Sequence, residues 1–150
     1  MFSMTFDRAF GVGVALFSGK TNEDADFERY CESVRVLDDL SATQKLPALI
    51  LVLDRENPMP SALWRKRMAA ARDMLRCKPV VAFVCDSPLL RGGIRAAEWL
   101  KPRPFPFVVE DDFEAAALWV EGHRPGTHKL LRRLYEELRA GNTRTIEELR

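Results

Sequence analysis

The chain has 150 residues, 47% of them hydrophobic and 30% charged, with 23 Lys and Arg against 22 Asp and Glu. That length suits one domain burying about 70% of its unfolded surface, and the composition excludes disordered, collagen-like and disulfide-scaffold chains. A net charge of +1 gives no global field to drive the protein onto nucleic acid, and no apolar run approaches a membrane span of about 20 residues.

Met1–Phe6 and Ala9–Ser18 read as extended segments joined by a tight turn at Asp7 and Arg8, so the chain is expected to open on an antiparallel hairpin. Gly11 and Gly13 lack the third glycine and following helix of a dinucleotide fingerprint, and a bulge or a close backbone approach explains them. Thr21 or Asn22 suits the cap of a helix with Glu23, Asp24 and Asp26 in its first turn and Phe27, Tyr30, Val34 and Leu37 on one face. Ala48–Leu53 is the aliphatic run of a central strand, ended by Asp54. After a turn at Asn57–Pro60, a helix is predicted over Ser61–Arg76, with Trp64, Met68, Ala71 and Leu75 inward and Arg65, Arg72 and Arg76 outward.

Val80–Cys85 repeats the buried-strand pattern and closes on Asp86, Ser87 and Pro88. A helix from about Leu90 to Leu100 is expected to pack through Leu90, Ile94 and Ala97, although Gly92 and Gly93 weaken its first turn. Pro102, Pro104 and Pro106 lead into a short edge strand, Phe107–Val109. Asp111 and Glu114 form a capping-box pattern before a helix through Phe113, Ala117 and Val120. A last helix, Thr127–Ala140, uses Leu130 or Leu131, Leu134 and Leu138, with Gly141 as its terminator; Thr145 and Glu148 suit a further turn or a frayed end. The order implies an α/β domain over residues 1–141, followed by a tail at 142–150. Its sheet should be single, mixed and mostly parallel, of about five strands, with an N-terminal hairpin, helices on both faces and an extra C-terminal helix.

Ligands of such sheets bind beyond the carboxyl ends of the parallel strands, a rim that here holds Ser18, Lys20, Asp54, Asp86, Ser87 and Asp111. Carboxylates there suit a hard cation or an acid and base pair, and suit equally the turns and caps where Asp is common. No Gly-Lys-Ser, Gly-Lys-Thr or Gly-x-Ser-x-Gly segment occurs, so nucleotide hydrolysis and serine-esterase chemistry lose support. His123 and His128 lack ligand spacing, and Cys31, Cys77 and Cys85 are too widely spaced for a zinc knuckle. No catalytic residue, metal or cofactor is therefore assigned, and a reducing cytoplasm is the expected compartment. Trp64, Trp99 and Trp119 are read as packing residues rather than a base-stacking platform. Charge is uneven along the chain: residues 20–57 carry a net −4, residues 61–103 a net +7, and residues 104–122 five acids and no base. Arg65, Arg72 and Arg76 are thus the candidate interaction surface.

The element order over residues 1–121 resembles the STAS fold of anti-sigma-factor antagonists and their relatives. The likeness lies in the opening hairpin, the strand Ala48–Leu53 ending in Asp54, the helix after a short loop, and the late strand leading to Asp111, Asp112 and Phe113. In signalling members an Asp-Ser-x-Gly-like segment opens the second helix, and its Ser is phosphorylated by a partner kinase. Pro60-Ser61-Ala62-Leu63 stands there instead, so the resemblance implies a divergent member without that motif, with Ser61 a phosphosite candidate or simply an N-cap. Members of this kind look like binding modules for proteins or for small, lipidic ligands. The expectation is a non-enzymatic cytoplasmic interaction or regulatory module meeting a protein partner or a second copy of itself, without nucleic acid or membrane insertion. The alternative is a small-molecule binding protein or enzyme using the strand-end rim for a lipidic or anionic ligand.

Overall fold

A computed structural model describes residues 1–41 and 47–142, so the predicted tail beyond Asn142, with Thr145 and Glu148, lies outside the described residues. The chain runs β1 (Phe2–Asp7), β2 (Val12–Phe17), α1 (Asp24–Ser41), β3 (Ala48–Leu53), α2 (Ala62–Asp73), β4 (Val80–Cys85), α3 (Pro88–Leu100), β5 (Phe107–Glu110), α4 (Phe113–His123) and α5 (His128–Arg139). The strands form one sheet in the order β1-β2-β3-β4-β5, with β1 antiparallel to β2 and every other pair parallel. Ile50 lies between Val14 and Ala82, which puts the two aliphatic strands side by side and pointing the same way. Among the described residues no helix is long and apolar enough to cross a membrane.

Each parallel strand is laid down beside its predecessor in one direction. Right-handed crossovers then place every connecting helix on the same side of the sheet. Accordingly α1, α2 and α3 share one face, whereas α4 and α5, which follow the last strand, take the other. The α4 and α5 face is close-packed. Val14, Ile50 and Ala82 meet Ala116, Ala117 and Val120 of α4 and Leu131, Leu134 and Leu138 of α5, all buried. The opposite face carries larger side chains, Phe2, Phe17, Leu49 and Leu51, which meet Phe27 and Leu37 of α1 and Trp64 of α2.

Several boundaries differ from expectation for local reasons. The hairpin turn is longer than Asp7 and Arg8: the Asp7 carbonyl accepts from Gly11 N at 2.8 Å and its carboxylate from Phe10 N at 3.0 Å, taking Ala9 and Phe10 out of β2. Gly11 has φ 67°, which favours glycine there. Gly13 sits in unbroken register opposite Phe6, and a Cβ on it would lie 2.6 Å from the Phe6 ring, so the close-approach reading applies and the bulge does not. Neither Thr21 nor Asn22 caps α1. Asn22 instead forms a reciprocal amide pair with Asn57, at 2.7 and 2.9 Å. The α4 cap is Asp112, accepting from Ala115 N at 2.8 Å, rather than Asp111, and Glu114 turns to His128 and Arg132. His128 and His123 are helix-end residues, not loop residues. α5 lies across the sheet face over β2 and β1.

Asp26 fastens the start of α1 to β1 by accepting from Phe2 N at 2.8 Å and Glu23 N at 3.0 Å. Burial opposes its ionisation, but those amides and the Arg29 guanidinium outweigh it and hold the carboxyl below the usual carboxylate range. A depressed folded-state pKa contributes stability above the ordinary carboxylate range, lost as pH falls through the lower folded value. Asp26→Asn is therefore expected to reduce stability at neutral pH and to flatten its dependence on acid pH, measured by urea unfolding across that range. Leu134→Ala should cost about 2–5 kcal/mol with an unchanged denaturant slope. The exposed Leu118→Ala should stay within about 0.5 kcal/mol.

Candidate functional site

The rim residues fall near the carboxyl ends of the parallel strands, where each described one is engaged by a neighbour or is exposed. Asp54 is clamped by Arg139 of α5 through contacts of 2.6 and 2.9 Å. Asp86 faces Arg55 at 3.8 Å, and Lys20 faces Glu56 at 3.9 Å. Ser87 caps α3 by accepting from Leu90 N at 3.3 Å, Ser18 lies against the Met1 carbonyl at 3.5 Å, and Asp111 is exposed beyond β5. The strand order never reverses, so the sheet has no topological switch point. Among the described residues no group of three or more His, Cys, Asp or Glu could hold a metal ion. Ser61 caps α2, its hydroxyl accepting from Trp64 N at 3.3 Å.

The space for a ligand lies elsewhere, under α2 and α3. An apolar cavity of about 430 Å³ has Leu49, Leu51, Leu53, Val81, Phe83 and Phe107 as its floor. Met68 and Ala69 of α2 and Leu90, Ile94 and Ala97 of α3 form its roof, and Tyr30, Val34 and Leu37 of α1 form one wall. Its size and lining suit a small-ligand site, commonly about 300–1,000 Å³ and mostly hydrophobic.

The roof helices are held at a few points rather than by packing on the sheet. α2 buries only Trp64, whose indole Nε1 donates to Asp24 at 2.6 Å and whose ring stacks on Phe27 at 5.2 Å, so α2 is tied to α1 rather than pressed onto the sheet. α3 buries no residue. Two arginines hold it instead, Arg91 donating to the Cys85 carbonyl at 2.7 Å and Arg95 to the Val109 carbonyl at 2.9 Å. The expected close packing of Leu90, Ile94 and Ala97 is thus replaced by a gap.

Polar groups on the lining are few. Asn57 is committed to the Ser18 and Gly19 carbonyls and to Asn22. Tyr30 is desolvated, which pushes its hydroxyl up to about 12. Arg103 lies over the Phe107 ring at 3.6 Å and pairs with Glu98. Burial, with the like charge of Arg72 beside it, brings Arg103 down to about 10. Arg72, expected to point outward, lines the cavity with Nε and Nη2 on Asp73. Arg65 borders the same cavity and donates to the Pro60 carbonyl at 2.8 Å. Arg76 lies beyond α2, which ends at Asp73, and bonds Asp38 and Asp39 of α1 at 2.8 and 3.1 Å. Arg65 and Arg76 are exposed, while Arg72 is half-buried against the cavity. Trp99 also departs from its packing role, being 83% exposed.

Sequence reasoning missed Arg103 and the cavity. The available signal was a third helix with two glycines and few large residues on its inner side. No family model, curated protein or solved structure matches this chain.

The cap assigned to Ser61 is testable on its own. Ser61→Ala should cost about 1 kcal/mol in urea unfolding, whereas Ser61→Asp, which retains an acceptor, should stay close to the parent. Equal losses in both variants would contradict the cap.

Proposed function

We propose that this protein is a non-enzymatic cytoplasmic binding module of STAS-like architecture that takes an apolar small molecule into the space between the sheet and α1–α3. The single observation that carries this reading is the cavity itself, a partly open apolar space bordered by three helices and left unfilled by their side chains. Binding is favoured over catalysis because the lining, among the described residues, holds no carboxylate or imidazole to move a proton. The carboxylates nearest the strand ends are engaged with arginines or are exposed outside it. Free Cys31, Cys77 and Cys85 accord with a reducing compartment.

A regulatory role follows from which elements form the roof. A ligand touching α2 and α3 favours one placement of both, and α3 carries the exposed Trp99 and Leu100 on its outer surface. Occupancy is thereby coupled to the surface that a protein partner meets.

The test uses N-phenyl-1-naphthylamine, a neutral apolar fluorophore. Saturable one-to-one binding is expected, together with stabilisation in thermal unfolding of about 2.7 kcal/mol at a hundred times the Kd. Ala69→Trp, which fills the roof of the cavity, should weaken binding at least ~tenfold while retaining helical circular dichroism. Undiminished binding in that folded variant would place the fluorophore elsewhere and refute the reading.

A further inference from the structure

The ionised groups on the cavity lining are all cationic, Arg65, Arg72 and Arg103, in a wall that is otherwise almost wholly apolar. Two of them line the cavity together with a hydroxyl, each from a separate element. Tyr30 comes from α1, Arg72 from the last turn of α2 and Arg103 from the segment before β5, and the charges of both arginines act on Tyr30. Arg103 is the costly member. Its side chain is 16% exposed, one side is taken by the Phe107 ring and its guanidinium is paired in charge with Glu98, yet neither its buried Nε nor its Nη1 makes a formed hydrogen bond. A guanidinium donor left unfilled beside an apolar space costs stability that an incoming acceptor recovers.

The surrounding charges have been placed in full. Asp73 holds Arg72 and also lies 3.8 Å from Lys101, and Glu98 holds Arg103. Neither acid is on the cavity lining. Asp73 thus offsets Arg72 and Glu98 offsets Arg103, while the exposed Lys101 stands outside the lining. Arg72 and Arg103 both sit toward the amino ends of the strands, Arg103 preceding β5 and Arg72 ending an α2 that starts after the carboxyl end of β3. From there the apolar floor runs along Leu51 and Phe83 to Leu53.

Building on the cavity reading above, we infer that the ligand is an amphipathic anion: an aliphatic chain lying along β3 and β4, with a compact carboxylate or phosphate head held by Arg72 and Arg103. Arg supplies paired N–H donors suited to either head. The chain accounts for the volume and the head for the arginines.

Displacement of N-phenyl-1-naphthylamine from the whole protein by dodecanoate, dodecyl phosphate and 1-dodecanol, at about pH 8 where both heads are ionised, separates the possibilities. At least one anion should bind roughly tenfold or more tighter than the alcohol, and the tighter anion identifies the source as a free fatty acid or a phosphate-headed lipid. In Arg103→Met combined with Glu98→Gln, which strands no carboxylate, that preference should fall to about twofold or less while the alcohol binds as before. Arg72→Met should reduce the preference in the same direction and serves as the test if the double variant fails to fold. Equal binding of acid and alcohol by the parent protein would overturn the head-group assignment while leaving the cavity reading intact. A preference that survives in folded Arg72→Met and in the folded double variant would also overturn it. If the fluorophore does not bind, and the three compounds do not stabilise the protein in thermal unfolding, both readings fall.

Discussion

The structure depends on one constraint, the pairing of β2, β3, β4 and β5 in parallel and in strict succession. Because each crossover carries the same hand, three helices must share one side of the sheet. The two sides then solve different problems. On the α4 and α5 side, small residues such as Ala82, Ala116 and Ala117 are fully buried and let helix backbones approach closely. On the other side, rings and leucines stand up from the strands, and the helices above are anchored at their ends. Phe83, Val81 and Phe107 are consequently only half-buried, under a roof that does not reach them.

The charge asymmetry takes on an internal meaning in this arrangement. The acidic stretch contributes α1 and the basic stretch contributes α2 and α3. Arg76 donates to Asp38 and Asp39 of α1, its backbone N also donates to Asp38, and Trp64 donates to Asp24. Much of the alternation seen along the chain therefore holds neighbouring helices in place. Arg103 differs because it is drawn toward the apolar space, where burial depresses its pKa.

The fold was legible in the sequence because its signals were local and strong. Ala48–Leu53 and Val80–Cys85 are strands with the expected bounds, the first buried almost throughout and the second alternating until its last two residues, and Leu131, Leu134 and Leu138 form the buried stripe of α5. Ser61 was legible as a cap because a cap needs only its own turn. The cavity was not legible, since the general rule for parallel sheets points to the strand ends and says nothing of a gap beneath the helices. The side to which Arg72 turns was missed for a related reason. An arginine opposite an apolar stripe reads as solvent-facing, and only the gap between α2 and α3 turns it inward. Arg103, isolated among prolines, had no periodicity by which to be placed.

The central claim is that an unfilled apolar space lies between the sheet and α1–α3. Xenon enters dry apolar cavities without needing any particular head group, so anomalous diffraction from a crystal held under xenon pressure tests it without assuming a ligand. Xenon density bounded by Leu51, Phe83 and Ile94 is the expected result. Side chains of α2 and α3 closed onto the strands there, with xenon absent from that side of the sheet, would contradict the account.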